Sequence, residues 1–311
     1  MKKWQVTVVW VLALSLACAL YAQSVSAQFV EGYDNKQLSL VKGLHFARTS
    51  PLDLEVDGDI LGTVRGHSKS YITRDQLLTL PQVSYTVTND ANFRGPTQIS
   101  GVALDELIHA LAANPDSDIA VAICSDGYAT HYDRSYITVH HPVLALKVNG
   151  KDPADWPKFH ESGAYMGPYL ISSPDFKPSF KILSHEDEPQ IPWGVVQFKI
   201  QSEAAVFDAI RPRSPGADSQ EVQNGYRIAQ QNCFRCHNSG DHGGTKAQRP
   251  WAILSTWASA SPDFFAAYIH DPKSKNPKSQ MQAFPNYDAA TLAALTKYFQ
   301  SFGDDGKSGK P

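Results

Sequence analysis

The chain predicts two folded lobes, a mixed α/β lobe followed by an all-α one, and three observations carry that expectation. Short β-rich segments separated by Gly, Pro and Asp fill the larger, N-terminal part. Further on, the apolar period lengthens to that of a helix. Between the two regimes lies "RPRSPGADSQ" (Arg211–Gln220), where Pro, Gly, Ser and alternating charges leave little to bury. The resulting organisation is a leader at 1–27, an α/β lobe at 28–201, a linker at 202–220, a helical lobe at 221–303 and a disordered, solvated tail at 304–311.

The leader comes first. Lys2 and Lys3 precede an apolar run, Val6–Tyr21, that closes in small residues up to Ala27, the pattern of a cleaved secretory signal. Its apolar core of about 15 residues is shorter than the roughly 20 that span a bilayer. No second candidate span follows, so the mature chain is expected to be periplasmic and to lack a stable membrane span. Cys18 has Ser15, not Leu, three positions before it, which argues against lipidation.

In the α/β lobe, "SYTVTND" (Ser84–Asp90), "DIAVAIC" (Asp118–Cys124), "SYITVHH" (Ser135–His141) and "WGVVQFKI" (Trp193–Ile200) read as strands. On such a strand His140 and His141 would face opposite sides and could not share one metal ion. "ALDELIHALAA" (Ala103–Ala113) reads as a helix, with Leu104, Leu107, Ile108 and Leu111 at helical spacing. In the second lobe "EVQNGYRIAQQNC" (Glu221–Cys233) places Val222, Tyr226 and Ala229 on one face. "SPDFFAAYIH" (Ser261–His270) opens with a Ser cap and Pro262. The last helix starts at an Asp288 cap, repeats Leu292, Leu295, Phe299 and Phe302, and stops at Gly303.

Composition excludes some functions. The formal charge is −3, which offers no basic patch for nucleic acid. Of the four cysteines, Cys18 leaves with the leader, Cys233 and Cys236 sit together and Cys124 stands alone. That is no disulfide scaffold.

The chemistry concentrates in "QNCFRCHNSG", residues 231–240. Cys233, Cys236 and His237 occupy positions i, i+3 and i+4, one side of a helical turn. A flat macrocycle there can take two thioether bonds at its edge and an axial nitrogen at its iron, the C-x-x-C-H pattern of covalent haem c. A thioredoxin-like reading needs a βαβ setting, and a zinc site needs two further ligands that His242 alone does not complete. The sixth iron ligand falls to Met281 in "NPKSQMQAFP" (Asn276–Pro285), since Met166 lies in the other lobe. His270 is the rival ligand.

"GYRIAQQNCFRCHNSG", "RPWAIL" and "MQAFPNYDAATLAALTKYFQSF" together resemble the three signature regions of class I cytochromes c. The resemblance implies one haem, a helix crossing at Gly225 and Tyr298, and a Pro250 carbonyl accepting the His237 Nδ1 proton. Trp251 and Trp257 would wall the pocket.

In the first lobe "GVALDELIHAL" (Gly101–Leu111), "SDGYATHY" (Ser125–Tyr132), "LALKVNGKDP" (Leu144–Pro153) and "GPYLISSP" (Gly167–Pro174) occur in that order. They resemble the molybdopterin-binding domain of the sulfite oxidase family over roughly residues 52 to 201. The resemblance implies a mixed α/β fold and a possible pterin pocket. The family's metal-binding cysteine is missing: Ser84–Ser100 holds none, and Asn89 or Asp90 stands near its place. Cys124, ending an apolar strand, reads as a small buried hydrophobe. Arg94, Tyr128, His131 and Arg134 are candidates for binding a pterin phosphate or a small oxyanion. The expected function is electron transfer between redox partner proteins, with the first lobe as a docking module. The alternative is a molybdopterin-dependent oxidoreductase with its own tethered haem.

Overall fold

A computed structural model of the protein describes residues 43–60, 69–213 and 216–302. The leader, Cys18, Gly303 and the tail at 304–311 lie outside the described residues.

In the first lobe β1 (Leu54–Gly58) pairs with β2 (Ser70–Ile72), and α1 (Arg74–Thr79) follows. A reciprocal cap starts α1: Thr73 accepts from the Gln76 backbone, and the Gln76 side chain accepts from the Thr73 N–H. Next come β3 (Val83–Val87), β4 (Thr97–Ala103) and α2 (Leu104–Ala110), the expected helix, with Leu104 and Leu107 fully buried. β5 (Ile119–Cys124) and β6 (Ala129–Asp133) form a hairpin that runs into α3 (Arg134–His140). β7 (Val143–Val148), β8 (Tyr169–Ser172), the short pair β9 (Lys181–Ile182) and β10 (His185–Glu186), and β11 (Trp193–Gln201) complete the lobe. The main sheet has nine strands, ordered β2-β1-β11-β8-β7-β4-β3, with β5 on β11 and β6 on β5. β11 is its hub, antiparallel to β5 and β8 and parallel to β1.

One expected strand is a helix. In "SYITVHH" the Asp133 carboxylate caps the Tyr136 N–H at 2.8 Å, and the Thr138 hydroxyl turns back onto the Arg134 carbonyl at 2.8 Å. The cap and the burial of Tyr136 and Ile137 override the β-branched composition. His140 ends this helix buried, its Nε2 2.9 Å from Asp187 Oδ2, while His141 turns left-handed with φ 46°. The pair is thus divided by a helix end rather than by a strand's two faces.

Part of the expected linker is folded. Within the expected linker, α4 (Glu203–Asp208) buries Val206 and Phe207, and Ile210 follows them into the core of the C-terminal helices. Three apolar side chains at helical spacing had more to bury than the Pro/Gly/Ser stretch beyond them. Then come α5 (Gln220–Gln231), the small β12 (Asn238–Ser239) and β13 (His242–Gly243), α6 (Trp251–Ala260), α7 (Pro262–His270), α8 (Pro272–Lys275) and α9 (Ala289–Gln300). Asp288 caps α9 by accepting from the Thr291 N–H at 2.8 Å, as expected. Ser261 caps α7 by position only, without a side-chain bond. α5 and α9 cross at Gly225, where a Cβ would overlap the Ala294 carbonyl and crowd Tyr298 Cβ. No helix among the described residues is long and apolar enough to cross a membrane.

The β5–β6 hairpin explains how the lobes meet. Along β5, Ala120, Ala122 and Cys124 belong to the first lobe's core, whereas Ile119 and Val121 belong to the core of the C-terminal helices, with Ile123 packed beside them. The two-residue alternation of a strand thereby serves two cores at once.

Candidate functional site

The thiol–imidazole cluster lies just past the C-terminus of α5. That helix is capped at Asn232, and the chain makes one further turn in which the Cys233 carbonyl accepts from Cys236 N at 3.2 Å and from His237 N at 3.0 Å. The one-sided placement of Cys233, Cys236 and His237 therefore comes from a single helical turn, not from a continuing helix. The loop through β12 and β13 buttresses it: Gly244 N donates to the Phe234 carbonyl at 2.8 Å and Ala247 N to the Cys236 carbonyl at 2.9 Å. A Cβ at Gly244 would overlap the Arg235 carbonyl, so only glycine allows this approach.

His237 Nδ1 lies 2.6 Å from the Arg249 carbonyl. A carbonyl only accepts, so Nδ1 carries the proton and Nε2 is the free lone pair. The expected acceptor, Pro250, is one residue off. Pro250 is the N-cap of α6, and its carbonyl is already taken by the N–H groups of Ile253 and Leu254. The carbonyl just before the cap is the one left to turn toward the imidazole. Burial lowers the His237 pKa, the charge of Arg249 adds to the lowering, and the bond to its carbonyl opposes it. The neutral form, which alone can ligate a metal, is thereby favoured.

Residues 220–299 match the family model described as "Cytochrome C oxidase, cbb3-type, subunit III". This region is a cytochrome c domain. Such a domain binds haem c and transfers electrons between redox partners. Among solved structures, the sulfane dehydrogenase SoxCD from Paracoccus pantotrophus is similar at 14% identity with a TM-score of 0.34, over 50% of this chain and 40% of that one. The chain thus spans less than half the length of that structure. No curated protein matches the chain.

The residues expected to hold a haem all lie in this domain. Cys233 and Cys236 are unbridged thiols, and Cys233 packs against the same apolar core as half-buried Met281, Trp257 and Phe284. Met281 sits in the expected irregular loop; its N–H donates to Ser279 Oγ at 3.2 Å, and that hydroxyl also accepts from Tyr268 at 3.0 Å. His270, the rival ligand, is exposed at the end of α7. Trp251 stacks edge-on to Phe234 at 5.4 Å and lies 4.8 Å from Phe299, while Arg249 covers Trp257 at 4.5 Å.

At the expected metal position of the first lobe the described residues carry no thiolate. Asn89 is exposed, and the buried Asp90 is engaged, accepting from Ser172 Oγ at 2.7 Å and from Asn92 N at 2.8 Å. Burial raises the Asp90 carboxyl despite these bonds. Cys124 is 4% exposed, and burial pushes its thiol up to about 12. It is a core side chain, as expected, and the residues do not fit a soft-ligated molybdenum. Among the described residues no three His, Cys, Asp or Glu side chains gather as a metal site. Two of the four anion candidates are engaged elsewhere. Arg94 donates to the His160 carbonyl at 3.4 Å, and Arg134 to the carbonyls of Ser117, at 2.8 Å, and Pro115.

Tyr128 and His131 turn instead to the cytochrome domain. His131 stacks on Phe234 at 5.0 Å, and the Tyr128 hydroxyl accepts from Arg235 at 3.3 Å. The Thr245 N–H donates to the Gly127 carbonyl at 2.7 Å, Ala129 N to the Arg235 carbonyl at 2.8 Å, and Lys246 pairs with Asp126 at 2.8 Å. From a second side His185 of β10 lies 3.4 Å from Gln231, 3.3 Å from Asn232 and 3.3 Å from the Tyr287 hydroxyl. Sequence reading missed Arg235 and His185. An arginine between two cysteines carries no sign that it will be buried, and His185 stands in a polar stretch without periodicity.

Proposed function

We propose that the protein is an exported electron carrier with one covalent haem c. In this reading Cys233 and Cys236 would hold the haem covalently as thioethers, His237 Nε2 and Met281 Sδ would hold its iron, and the first lobe would fix how redox partners approach. Haem c, when bound, supplies a one-electron couple at its iron. The remaining work belongs to the chain. The Arg249 carbonyl holds the imidazole in one tautomer and orientation. The Met281 loop would bring a thioether from a separate segment, and a haem held by His237 and Met281 would supply a one-electron couple of raised potential. Phe234 of the turn packs edge to face against Trp251, which anchors the turn on the helical core. Export rests on the leader pattern at 1–27.

The observation that carries the reading is the folded C-x-x-C-H turn with Nδ1 already engaged and Nε2 free. Purified holoprotein is expected to retain its colour on the polypeptide after acidified acetone, and its ferric form to show the near-infrared methionine–iron band. Extraction of the colour would refute covalent attachment, and a bis-His spectrum would reassign the second ligand. A docking role for the first lobe predicts iron at about one per chain without molybdenum or pterin. Stoichiometric molybdenum would instead make the protein an oxidoreductase with a tethered acceptor.

A further inference from the structure

Arg235 stands between the two cysteines of the turn, yet it is only 8% exposed. A buried guanidinium is expected to be paired, because an isolated charge out of water is strongly disfavoured. Here only Nη1 has a partner, the Tyr128 hydroxyl at 3.3 Å, while Nε and Nη2 are buried without one. Those two atoms are neighbours on one edge of the planar group, and their N–H bonds point the same way. That edge matches two oxygens of one anion. No carboxylate among the described residues takes it: half-buried Glu188 acts on Arg235 electrostatically but forms no ion pair with it.

The surroundings add further unused polarity. Both ring nitrogens of His131 are buried and unpartnered, and one of them carries a proton in either tautomer. The Gln190 side-chain oxygen is also buried without a partner, and as a side-chain amide its two ends can exchange acceptor for donor by a flip. Gln190 lies on the first lobe's side of Arg235: its N–H donates at 2.7 Å to the hydroxyl of Tyr136, which acts on Arg235 electrostatically, and its carbonyl accepts from Tyr132 at 2.8 Å.

We propose that the seam between the lobes is a binding site for a small oxyanion, held side-on by Nε and Nη2 of Arg235 with His131 and Gln190 as further donors. The site goes beyond the electron-carrier reading and does not depend on which atoms ligate iron. It places a ligand-dependent charge beside the haem-attachment turn. An anion bound there offsets the buried guanidinium, so its binding stabilises the more positive, ferric state and lowers the potential.

The test uses full-length holoprotein with an intact haem spectrum, which separates failure of this site from failure of the haem assignment. Calorimetric titration with sodium sulfate and, separately, sodium formate at constant ionic strength is expected to give saturable binding to one site, with a lower midpoint potential at saturation. Arg235→Lys keeps the charge but loses the two-donor edge, and is expected to weaken binding about tenfold or more. Unchanged affinity in Arg235→Lys, or no saturable binding of either anion, overturns the proposal. Crystals of the unaltered holoprotein grown with selenate decide the matter without any variant. Anomalous density on the Nε–Nη2 edge is expected; Glu188 or water alone on that edge refutes the site.

Discussion

At the scale of single residues, the bonds that matter join segments far apart in sequence. The Tyr298 hydroxyl donates to the Ile210 carbonyl at 2.6 Å in a fully buried setting. Tyr298→Phe removes that donor and leaves the carbonyl without it, so the variant is expected to lose about 1–3 kcal/mol in denaturant unfolding. An unchanged midpoint would mean that water reaches the carbonyl. The same scale shows what a sequence conceals. Cys233, Cys236 and His237 announce themselves because covalent chemistry fixes their spacing. Arg235 does not, because its role depends on Tyr128 and His131, more than a hundred positions earlier. The Pro250-to-Arg249 correction is of the same kind: only the start of α6 reveals which carbonyl is already spent.

Among the elements, period and caps decided what was legible. α2, α5 and α9 were readable because their apolar stripes agree with their burial, and α9 also because of its Asp288 cap. α3 was not, because Ile137, Thr138 and Val139 favour a strand while Asp133 and the neighbouring core favour a helix. α4 was hidden by the Pro/Gly/Ser stretch that follows it. At the α5–α9 crossing, Gly225→Ala places a methyl against the Ala294 carbonyl; a loss of about 1–3 kcal/mol is expected, with Gly225→Ser no better. The cap of α9 gives a pH dependence. Hydrogen bonds from the Thr291 backbone and side chain hold the Asp288 carboxyl below its ordinary range. A depressed carboxyl stabilises the fold above the unfolded value and loses that contribution as pH falls through the folded one. The protection factor of the Thr291 amide, corrected for intrinsic exchange, is expected to fall in acid before that of the rest of α9, and Asp288→Ala to abolish the difference.

For the whole molecule, the lobes are joined by more than a tether. The β5–β6 hairpin, the β9–β10 hairpin and α4 all contribute to packing around the cytochrome domain. Calorimetry is therefore expected to show one cooperative unfolding transition for the holoprotein, and two resolved transitions would mean that the seam contributes little. The bipartite plan was legible in the sequence, since the period changes and the linker is polar. The seam was not, although "IAVAIC" held a trace of it: a strand apolar on both faces needs cover on both.

That double-sided strand has a consequence for truncation. A fragment stopping at Gln201 would keep its own interior but leave Ile119, Val121 and Ile123 facing solvent as a sticky stripe. Such a fragment should prove poorly soluble and clump during expression, whereas the intact polypeptide hides the stripe beneath its own final helices.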